Sequence, residues 1–579
     1  MNPSMKTGAF VEQAADNSIG GNPSIRAVLA SHRGIVIVLL CAAALIFPNL
    51  GKDTLWNDEG DTAYWALSIK QFGVPKAWDG RDFSHQDPGS MNDNLVLVTY
   101  PWLPLYATAG SLAIFGETAW AARLPFALAG WGTVLILYLL VWRMTGQKQA
   151  ALSAAIFLLF SVQFLLYTRS CRHYAFNMFF TCLALLTFLS LGRPRMVFVF
   201  ASVLLLLFYS LPLPGVCLPA ALGALTLFHP PFHKYRRAFW TAMLIVVPLT
   251  VPWLIWSSLR WTSTDVSRPS SVPIIAGRVL QMAIEIMVAV PLLGWLGLLP
   301  FLRRRCTRES ANLITLCALV MAAFVSADVL THSVKLQHLN GIRHYCGVIP
   351  LGAAISSVLI VSLSRGCWWK YSVLLFIFGA THLGGNSLPW LAASMTASTE
   401  TSQQLMMIHT PQNPAYTLLR GELPAYVLDL FQDNPGTVTE ICRALKSHAG
   451  PDDILFTNYG WESIYFYTRL RQAGKIAPGD PIYSAARKQG LPDYVFNASA
   501  AHWVVWRNAW AEFMGGNQRL TEAMSAWKAR GATTRVVATF RETRWENRED
   551  LYFRRFPSFG CLYHTYATYP EAVLLQVLN

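Results

Sequence analysis

Three carboxylates lie within four residues of the chain, directly after its first hydrophobic segment. They are Asp58, Glu59 and Asp61. Charges beside a bilayer are costly to desolvate and are seldom placed there for packing alone. A carboxylate in this position can act as a general base that takes the proton of an acceptor hydroxyl or amine. The alternative is that the three acids are solvated and only mark the boundary of the membrane.

Arginine side chains recur at the ends of later hydrophobic segments, where they could hold a phosphate group. Arg169 and Arg172 flank the turn between the third and fourth segments, and Arg343 precedes a later one. A guanidinium grips phosphate through paired, charge-assisted hydrogen bonds and stabilises negative charge that develops on it. Snorkelling towards lipid head groups is the alternative. Neighbouring polar side chains that are more often interface residues than catalysts are His85, His173, His344 and Tyr345.

The composition indicates a membrane protein. Of the 579 residues, 53% are hydrophobic and only 13% are charged. Average soluble domains carry about 25% charged residues, so much of this chain is expected to lie in lipid. The net charge of +14 is attributed to cytoplasmic loops and anionic lipid. Nucleic acid is not an expected partner, because no basic run with interleaved aromatic residues occurs.

About eleven hydrophobic segments approach the length needed to cross a bilayer, which predicts a polytopic α-helical membrane protein. Two of them, 196–210 and 213–228, could instead form one kinked hairpin, because the stretch from Ser210 to Gly215 contains two prolines. The segments are 34–50, 123–142, 150–166, 174–191, 196–210, 213–228, 239–256, 277–301, 310–330, 344–363 and 371–391.

The distribution of Lys and Arg predicts the orientation. Every second connection between the segments carries basic residues, so a tail of residues 1–33 is expected in the cytoplasm. An odd number of spans then places the C terminus outside. The predicted domains are a transmembrane domain of residues 34–391, which includes an exterior loop at 51–122, and an exterior α/β domain of residues 392–579.

Both exterior parts carry local structure signals. In the loop, helices are predicted over 62–72 and 101–115, lying on the membrane surface or re-entrant, with a mobile segment at 76–94 between them. In the tail, strands are predicted at 453–457, 502–506 and 534–540, with helices from Trp461 and from a capping box at 437–440. None of the ten cysteines has metal-ligand spacing, and Cys442 and Cys561 could pair if the tail is exported.

Four stretches share an order along the chain. They are the acidic stretch at 55–64, Leu112 to Gly130, Tyr167 to Tyr174, and Arg343 to Pro350. Together they resemble the polytopic GT-C glycosyltransferases, which include the protein O-mannosyltransferases and the aminoarabinose transferases. The resemblance covers about residues 34–391. Some relatives carry an acid where this chain has Ser170 and Cys171 and a Lys-Pro or His-Pro pair at Tyr100-Pro101, so the aminoarabinose branch is not favoured.

The resemblance implies a GT-C-like fold and an inverting hexosyl or pentosyl transferase at the outer face of a bacterial inner membrane. A polyprenyl-phosphate-linked sugar is the implied donor, and a lipid, glycan or protein the acceptor. No cofactor is implied with certainty, and a divalent metal is compatible with the site. The implied site residues are the base Asp58 with Glu59 beside it, and the substrate-binding residues Arg343, Arg172, Arg169, Tyr345 and His344.

Other functions remain open on the sequence alone. A secondary transporter would require paired halves with ionisable residues near mid-membrane, and no internal repeat is visible. An inactive lipid-binding or assembly protein could retain the same scaffold. Asp61 could replace Asp58 as the base, since the two lie three residues apart on one helical face. Glu285, an acid within a hydrophobic segment, has no assigned role.

Overall fold

The computed structural model describes most of the membrane part and the tail. The described residues are 33–84, 90–258, single residues between 275 and 290, 306–331, 341–364, 366–380, 423–431, 436–508, 516–541 and 571–578. Predictions for the N-terminal tail, His85, most of segment 277–301 with Glu285, the boundary near residue 391 and Cys561 lie outside these residues.

The described part of the chain starts with a hydrophobic helix, followed by a pair of helices in the first loop and a long hydrophobic helix. A sharp bend of 73° separates the last two helices of this group. Gly130 lets the long helix approach the C-terminal end of the short helix after the bend, because a Cβ there would lie 2.2 Å from Thr168 Cγ2. The helices are α1 (Arg33–Ile46), α2 (Asn57–Phe72), α3 (Trp102–Phe115), α4 (Ala119–Thr145), α5 (Lys148–Phe160) and α6 (Val162–Thr168).

Seven further helices complete the described hydrophobic part. Segments 196–210 and 213–228 form two helices separated by Leu211, whose backbone is extended. Two short 3-10 turns, Pro230–Tyr235 and Gly341–His344, precede helices of this group. The helices are α7 (Tyr174–Phe188), α8 (Pro194–Ser210), α9 (Pro212–Phe228), α10 (Arg236–Ser258), α11 (Arg308–Thr331), α12 (Val348–Ser364) and α13 (Trp368–Ala380).

Three described helical stretches are long and apolar enough to cross a membrane. They are Ala119–Thr145, Pro230–Ser257 and Arg308–Val329, and the bent pair α5–α6 would add a fourth. Several of the other apolar helices have only 10 to 17 residues. The hydrophobic helices therefore occur where the sequence predicts them, whereas the number of about eleven spans stays a prediction.

The tail contains a mixed five-stranded sheet with helices. The strand order is β2-β1-β3-β5-β4, with parallel pairing among the first three strands and antiparallel pairing of β5 with β3 and β4. The predicted strands and the helix from Trp461 are confirmed. The elements are α14 (Leu423–Phe431), α15 (Thr437–His448), β1 (Ile454–Thr457), α16 (Trp461–Thr468), β2 (Arg471–Gln472), α17 (Tyr483–Lys488), β3 (Trp503–Arg507), α18 (Gly516–Ala529), β4 (Thr533–Arg541) and β5 (Glu571–Leu578).

The predicted capping box at 437–440 is wrong in one respect. Helix α15 begins at Thr437 as predicted, but Gly436 is the N-cap and no side chain caps the helix. The Thr437 hydroxyl instead donates to the carbonyl of Arg541 at 3.4 Å. The tertiary contact with β4 therefore replaces the local cap.

The first loop is packed between the hydrophobic helices and the tail. Helix α2 starts at Asn57, five residues before the predicted start, and ends at Gly73 (φ 76°). Residues 59–66 are all buried, and α2, α3 and α16 share one hydrophobic cluster. The prediction of a helix lying on the membrane surface is therefore wrong for α2, because protein rather than lipid covers it.

The connection between α2 and α3 is also packed where it is described. Isolated β-bridges pair Lys76 with Val96 and Met91 with Leu97. The Tyr64 hydroxyl lies 2.7 Å from the carbonyls of Ala77 and Asp82. In the described parts of 76–94, the expected mobile segment is thus held by backbone pairing and by a buried tyrosine.

Candidate active site

Glu59 is the centre of a saturated hydrogen-bond network. Its Oε1 accepts from Arg123 Nε at 2.8 Å and from the Cys171 backbone at 2.7 Å. Its Oε2 accepts from Arg123 Nη2 at 2.5 Å and from the Trp56 backbone at 3.3 Å. The carboxylate therefore joins α2, α4 and the turn between α6 and α7.

Arg123 completes this network from the long helix α4. Its guanidinium also donates to the carbonyls of Leu50, Asp53 and Thr54 at 2.9 to 3.1 Å. The side chains of Arg123 and Glu59 are 9% and 2% exposed. A buried pair of this kind must be fully hydrogen-bonded to offset its desolvation, and here it is. Arg123 therefore has a structural role in this network.

Asp58 lies one residue away in a more open setting. Its Oδ2 is 3.5 Å from Arg172 Nη2 and 3.8 Å from Arg343 Nη1. Both distances fit an ion pair but exceed those of a good hydrogen bond. The Asp58 side chain is 23% exposed and that of Arg343 is 33% exposed. The structure therefore brings together the predicted base and two of the predicted arginines at a solvent-accessible point.

Arg172 is anchored to the acidic helix. Its Nη1 donates to the Asp58 carbonyl at 3.0 Å, and its guanidinium lies 5.3 Å from the centre of the Tyr100 ring. Tyr100 stands where the sequence resemblance would place a lysine or a histidine. In this chain its aromatic ring lies beside Arg172. Arg172 Nε has no partner among the described residues. The guanidinium thus keeps one free donor while its orientation is fixed.

Three other predicted site residues have different surroundings. Arg169 donates to the carbonyls of Ile46, Pro48 (2.8 Å) and Asn49 (3.2 Å), so it holds the chain that follows α1. His344 Nε2 lies 3.2 Å from Arg343 Nε. Tyr345 is fully buried in the main hydrophobic cluster. The arrangement brings His344 to the site edge and favours structural roles for Arg169 and Tyr345.

The tail contacts helix α2 near its N-terminal end. A Cβ on Gly60 would lie 2.4 Å from Ser463 Oγ and 2.6 Å from the Ser463 backbone nitrogen. Glycine is therefore required where α2 crosses α16. Since Gly60 separates Glu59 from Asp61, the tail domain directly supports the segment that carries the candidate base.

A second group of buried charges lies between the loop and the tail. Lys475 Nζ is 3.8 Å from Glu462 Oε1 and 4.2 Å from the centre of the Trp461 ring. Ser84 donates to the same Glu462 oxygen at 3.3 Å. Burial raises the pKa of Asp82 well above its ordinary value, although Lys475 opposes the shift. Burial also lowers the pKa of Lys475.

Sequence reasoning did not find this second group. Asp82 lies in the segment predicted to be mobile, and Glu462 and Lys475 lie in a tail without a specific motif. Their only sequence signal is an acid in the first turn of a helix predicted from Trp461. Within the described ranges, no group of three or more His, Cys, Asp or Glu side chains could hold a metal ion.

Comparisons with known proteins agree with this architecture. Residues 99–256 match the family of dolichyl-phosphate-mannose-protein mannosyltransferases. Two crystal structures of ArnT from Cupriavidus metallidurans, one bound to undecaprenyl phosphate and one apo, match with TM-scores of 0.56. The bound form is 16% identical, with 87% of this chain and 96% of ArnT covered. The apo form is 15% identical, with 88% of this chain and 96% of ArnT covered.

A more distant match is the archaeal oligosaccharyltransferase AglB from Archaeoglobus fulgidus, in complex with an inhibitory peptide and a dolichol-phosphate. It has a TM-score of 0.39 and 14% identity, with 86% of this chain and 71% of AglB covered. No curated protein matches the chain in sequence.

The predicted resemblance to GT-C glycosyltransferases is confirmed. The chain has the mostly helical, ArnT-like fold of a multi-pass membrane protein, with a C-terminal mixed sheet.

Proposed function

We propose that this protein transfers a sugar from a polyprenyl-phosphate donor to an acceptor, with inversion at the sugar carbon. The observation that carries the proposal is the group formed by Asp58, Arg172 and Arg343, in which one accessible carboxylate lies within ion-pair distance of two guanidiniums. The matching mannosyltransferase family and the ArnT-like fold support this reading.

Asp58 is the general base of the proposed reaction. It removes the proton of the acceptor hydroxyl or amine while the acceptor oxygen or nitrogen attacks the sugar carbon. The bond from that carbon to the phosphate oxygen breaks, and its electron pair leaves with the polyprenyl phosphate. Proton transfer of this kind contributes about 10²- to 10⁴-fold to a rate.

Arg172 and Arg343 are the phosphate-binding residues. Guanidiniums suit phosphate because their paired N–H donors match its oxygens, and they stabilise the charge left on the departing phosphate. Donor binding at the two guanidiniums would place the phosphate beside the Asp58 carboxylate.

Glu59 has an orienting role in this proposal. Three of its four described hydrogen bonds hold α2 against α4 and the α6–α7 turn, and the fourth, from the Trp56 backbone, caps α2 itself. Such a carboxylate has no lone pair directed at a substrate. His344, next to Arg343, orients that arginine. A divalent metal is not assigned a role.

The setting of the reaction follows from the sequence and stays part of the proposal. The N-terminal tail 1–33 would be cytoplasmic, and the first loop and the tail domain would face the exterior, as the basic connections indicate. In a bacterial inner membrane this exterior is the periplasm. The acceptor would be a lipid, glycan or protein that reaches Asp58 from that side.

The direct test measures lipid binding and transfer with the purified full chain. Native mass spectrometry with undecaprenyl phosphate, against undecaprenol as the uncharged control, reports the phosphate site. Any sugar-charged lipid that co-purifies is then offered to candidate acceptors. We expect selective binding of the phosphate form and transfer of its sugar.

Other outcomes separate the alternatives. Equal binding of undecaprenol and undecaprenyl phosphate would remove the phosphate site from the account. Selective binding without turnover for any acceptor would favour an inactive lipid-binding protein. Substrate-dependent uptake by proteoliposomes would support a transporter instead.

A further inference from the structure

His173 lies in the turn between α6 and α7, directly after Arg172. Its side chain is buried, with 6% of the residue exposed. Neither ring nitrogen forms a hydrogen bond of ordinary geometry with a described residue. Buried polar groups are nearly always paired, and an unpaired one is destabilising. This imidazole therefore calls for a function.

The surroundings of His173 are those of an anion site. The charges of Arg172 and Arg343 both act on its ring, and the ring makes a weak, poorly aligned hydrogen bond with the Arg343 backbone. These are the two arginines that face Asp58. Arg172 Nε is likewise buried and without a partner among the described residues. Polar atoms without a well-formed hydrogen bond thus occur at two adjacent residues, Arg172 and His173.

We propose that His173 is a third, uncharged hydrogen-bond donor to the phosphate of the lipid-linked donor. This inference rests on the proposed function and adds a residue to its phosphate site. One ring N–H would donate to a phosphate oxygen between the two guanidiniums. The imidazole would thereby fix the phosphate in place without adding a third charge.

The protonation state agrees with this role. Burial, and then the positive charges of Arg172 and Arg343, lower the pKa of His173 well below its ordinary value of 6.5. The ring is therefore neutral near pH 7, where it carries one donor and one acceptor. A cationic imidazole beside two guanidiniums would be disfavoured by like charge.

A packing role makes a different prediction, because the imidazole also contacts the Tyr174 ring edge-on, with centroids 4.7 Å apart. If packing were the reason for His173, phenylalanine would replace it well and glutamine poorly. If hydrogen bonding is the reason, the reverse holds, because glutamine keeps a neutral N–H donor and phenylalanine keeps only the ring. The two substitutions therefore separate the roles.

The experiment titrates undecaprenyl phosphate onto the purified full chain and onto His173→Gln and His173→Phe, with thermal unfolding of each recorded in parallel. We expect His173→Phe to weaken binding about tenfold or more and His173→Gln to stay within about threefold of wild type. Undecaprenol is the control lipid, and its weak binding should not change in either variant.

The experiment distinguishes a failure of the proposed His173 role from a failure of the proposed function. Unchanged binding in His173→Phe, or equal loss in both variants, would overturn the role of His173 while the wild-type phosphate selectivity keeps the proposed function. Loss in His173→Gln alone would assign the residue to packing. If wild type itself does not prefer undecaprenyl phosphate over undecaprenol, the proposed function fails first.

Discussion

Asp58 and Glu59 are adjacent in the chain and both face arginine, yet their environments are opposite. Glu59 is buried and pairs with Arg123 through two close contacts, at 2.8 and 2.5 Å. Asp58 is partly exposed and lies 3.5 and 3.8 Å from two guanidiniums. A saturated carboxylate–arginine pair fixes structure, whereas an unsaturated one keeps donors and lone pairs for a ligand. Two adjacent residues of α2 thus have different roles: Glu59 stabilises the structure, and Asp58 is the proposed general base.

Removing Glu59 should give the largest effect on stability. Glu59→Ala leaves Arg123 buried without its counter-charge, which costs about 3–5 kcal/mol. Asp58→Ala, at a part-exposed pair, should cost about 1 kcal/mol or less. Thermal unfolding of the two purified variants compares them. Equal losses would show that the two carboxylates are not distinct in the way described.

A methyl group at Gly60 should disturb the surroundings of both Asp58 and Glu59, because Gly60 follows them directly in α2. Gly60→Ala forces apart α2 and the backbone of Ser463, and overpacking of this kind costs about 1–3 kcal/mol. Gly110→Ala is the matched control, because a Cβ at Gly110 meets nothing within 4 Å. We expect a lower melting temperature and lower transfer only for Gly60→Ala. Similar behaviour of both variants would contradict the close contact.

Exchanging arginine for lysine should sharpen the comparison between the two groups. Arg343→Lys loses paired phosphate recognition, so undecaprenyl-phosphate binding should weaken about tenfold with little change in melting temperature. Arg123→Lys should do the opposite, lowering stability while a folded fraction still binds lipid. Binding and melting measured on the same preparations decide this. If Arg343→Lys binds like wild type, Arg343 does not grip phosphate.

The buried charged residues between the first loop and the tail (Asp82, Glu462 and Lys475) should give the smallest effect on stability. This effect should be visible as a dependence of the melting temperature on pH. The folded chain holds the Asp82 proton more tightly than the unfolded chain, since burial raises its pKa above 3.8. The stability from protonated Asp82 is present below that value and is lost as pH rises through the raised pKa. Asp82→Asn should therefore gain stability relative to wild type between pH 5 and pH 8.

The check is to record melting curves of the wild-type protein and of Asp82→Asn between pH 5 and pH 8. Lys475, whose pKa is lowered by burial, also interacts with the Asp82 charge, so the difference between the two proteins reports Asp82 together with its coupling to Lys475. A difference that stays constant with pH would mean that Asp82 titrates in the folded chain as it does in the unfolded one.

Much of the fold followed from short-range patterns. Hydrophobic runs predicted the helices, and alternating strands and helices predicted an α/β domain in the tail, whereas the mixed pairing of its strands was not predicted. The start of α2 at Asn57 was missed, because the cluster of three acids reads as a loop until tertiary contacts cover it. The apolar residues of α2 were assigned to lipid, since sequence cannot distinguish burial by lipid from burial by α16.

The site was predictable in part. Asp58, Arg172 and Arg343 were predicted from the resemblance to the GT-C glycosyltransferases, and the structure brings these three side chains together. The pairing of Glu59 with Arg123 was not found, since it spans 64 residues and depends on how helices pack. Lys475 and Glu462 come from a tail without motifs. Long-range partners of this kind require the folded structure.

The most direct test of the central claim compares Asp58→Asn with wild type in sugar transfer from the co-purified lipid-linked donor. Both proteins should bind undecaprenyl phosphate and melt at similar temperatures, because the substitution keeps the shape of the side chain. The account predicts that Asp58→Asn transfers sugar about 10²- to 10⁴-fold more slowly. Transfer by Asp58→Asn at the wild-type rate would remove Asp58 from the mechanism and contradict the account.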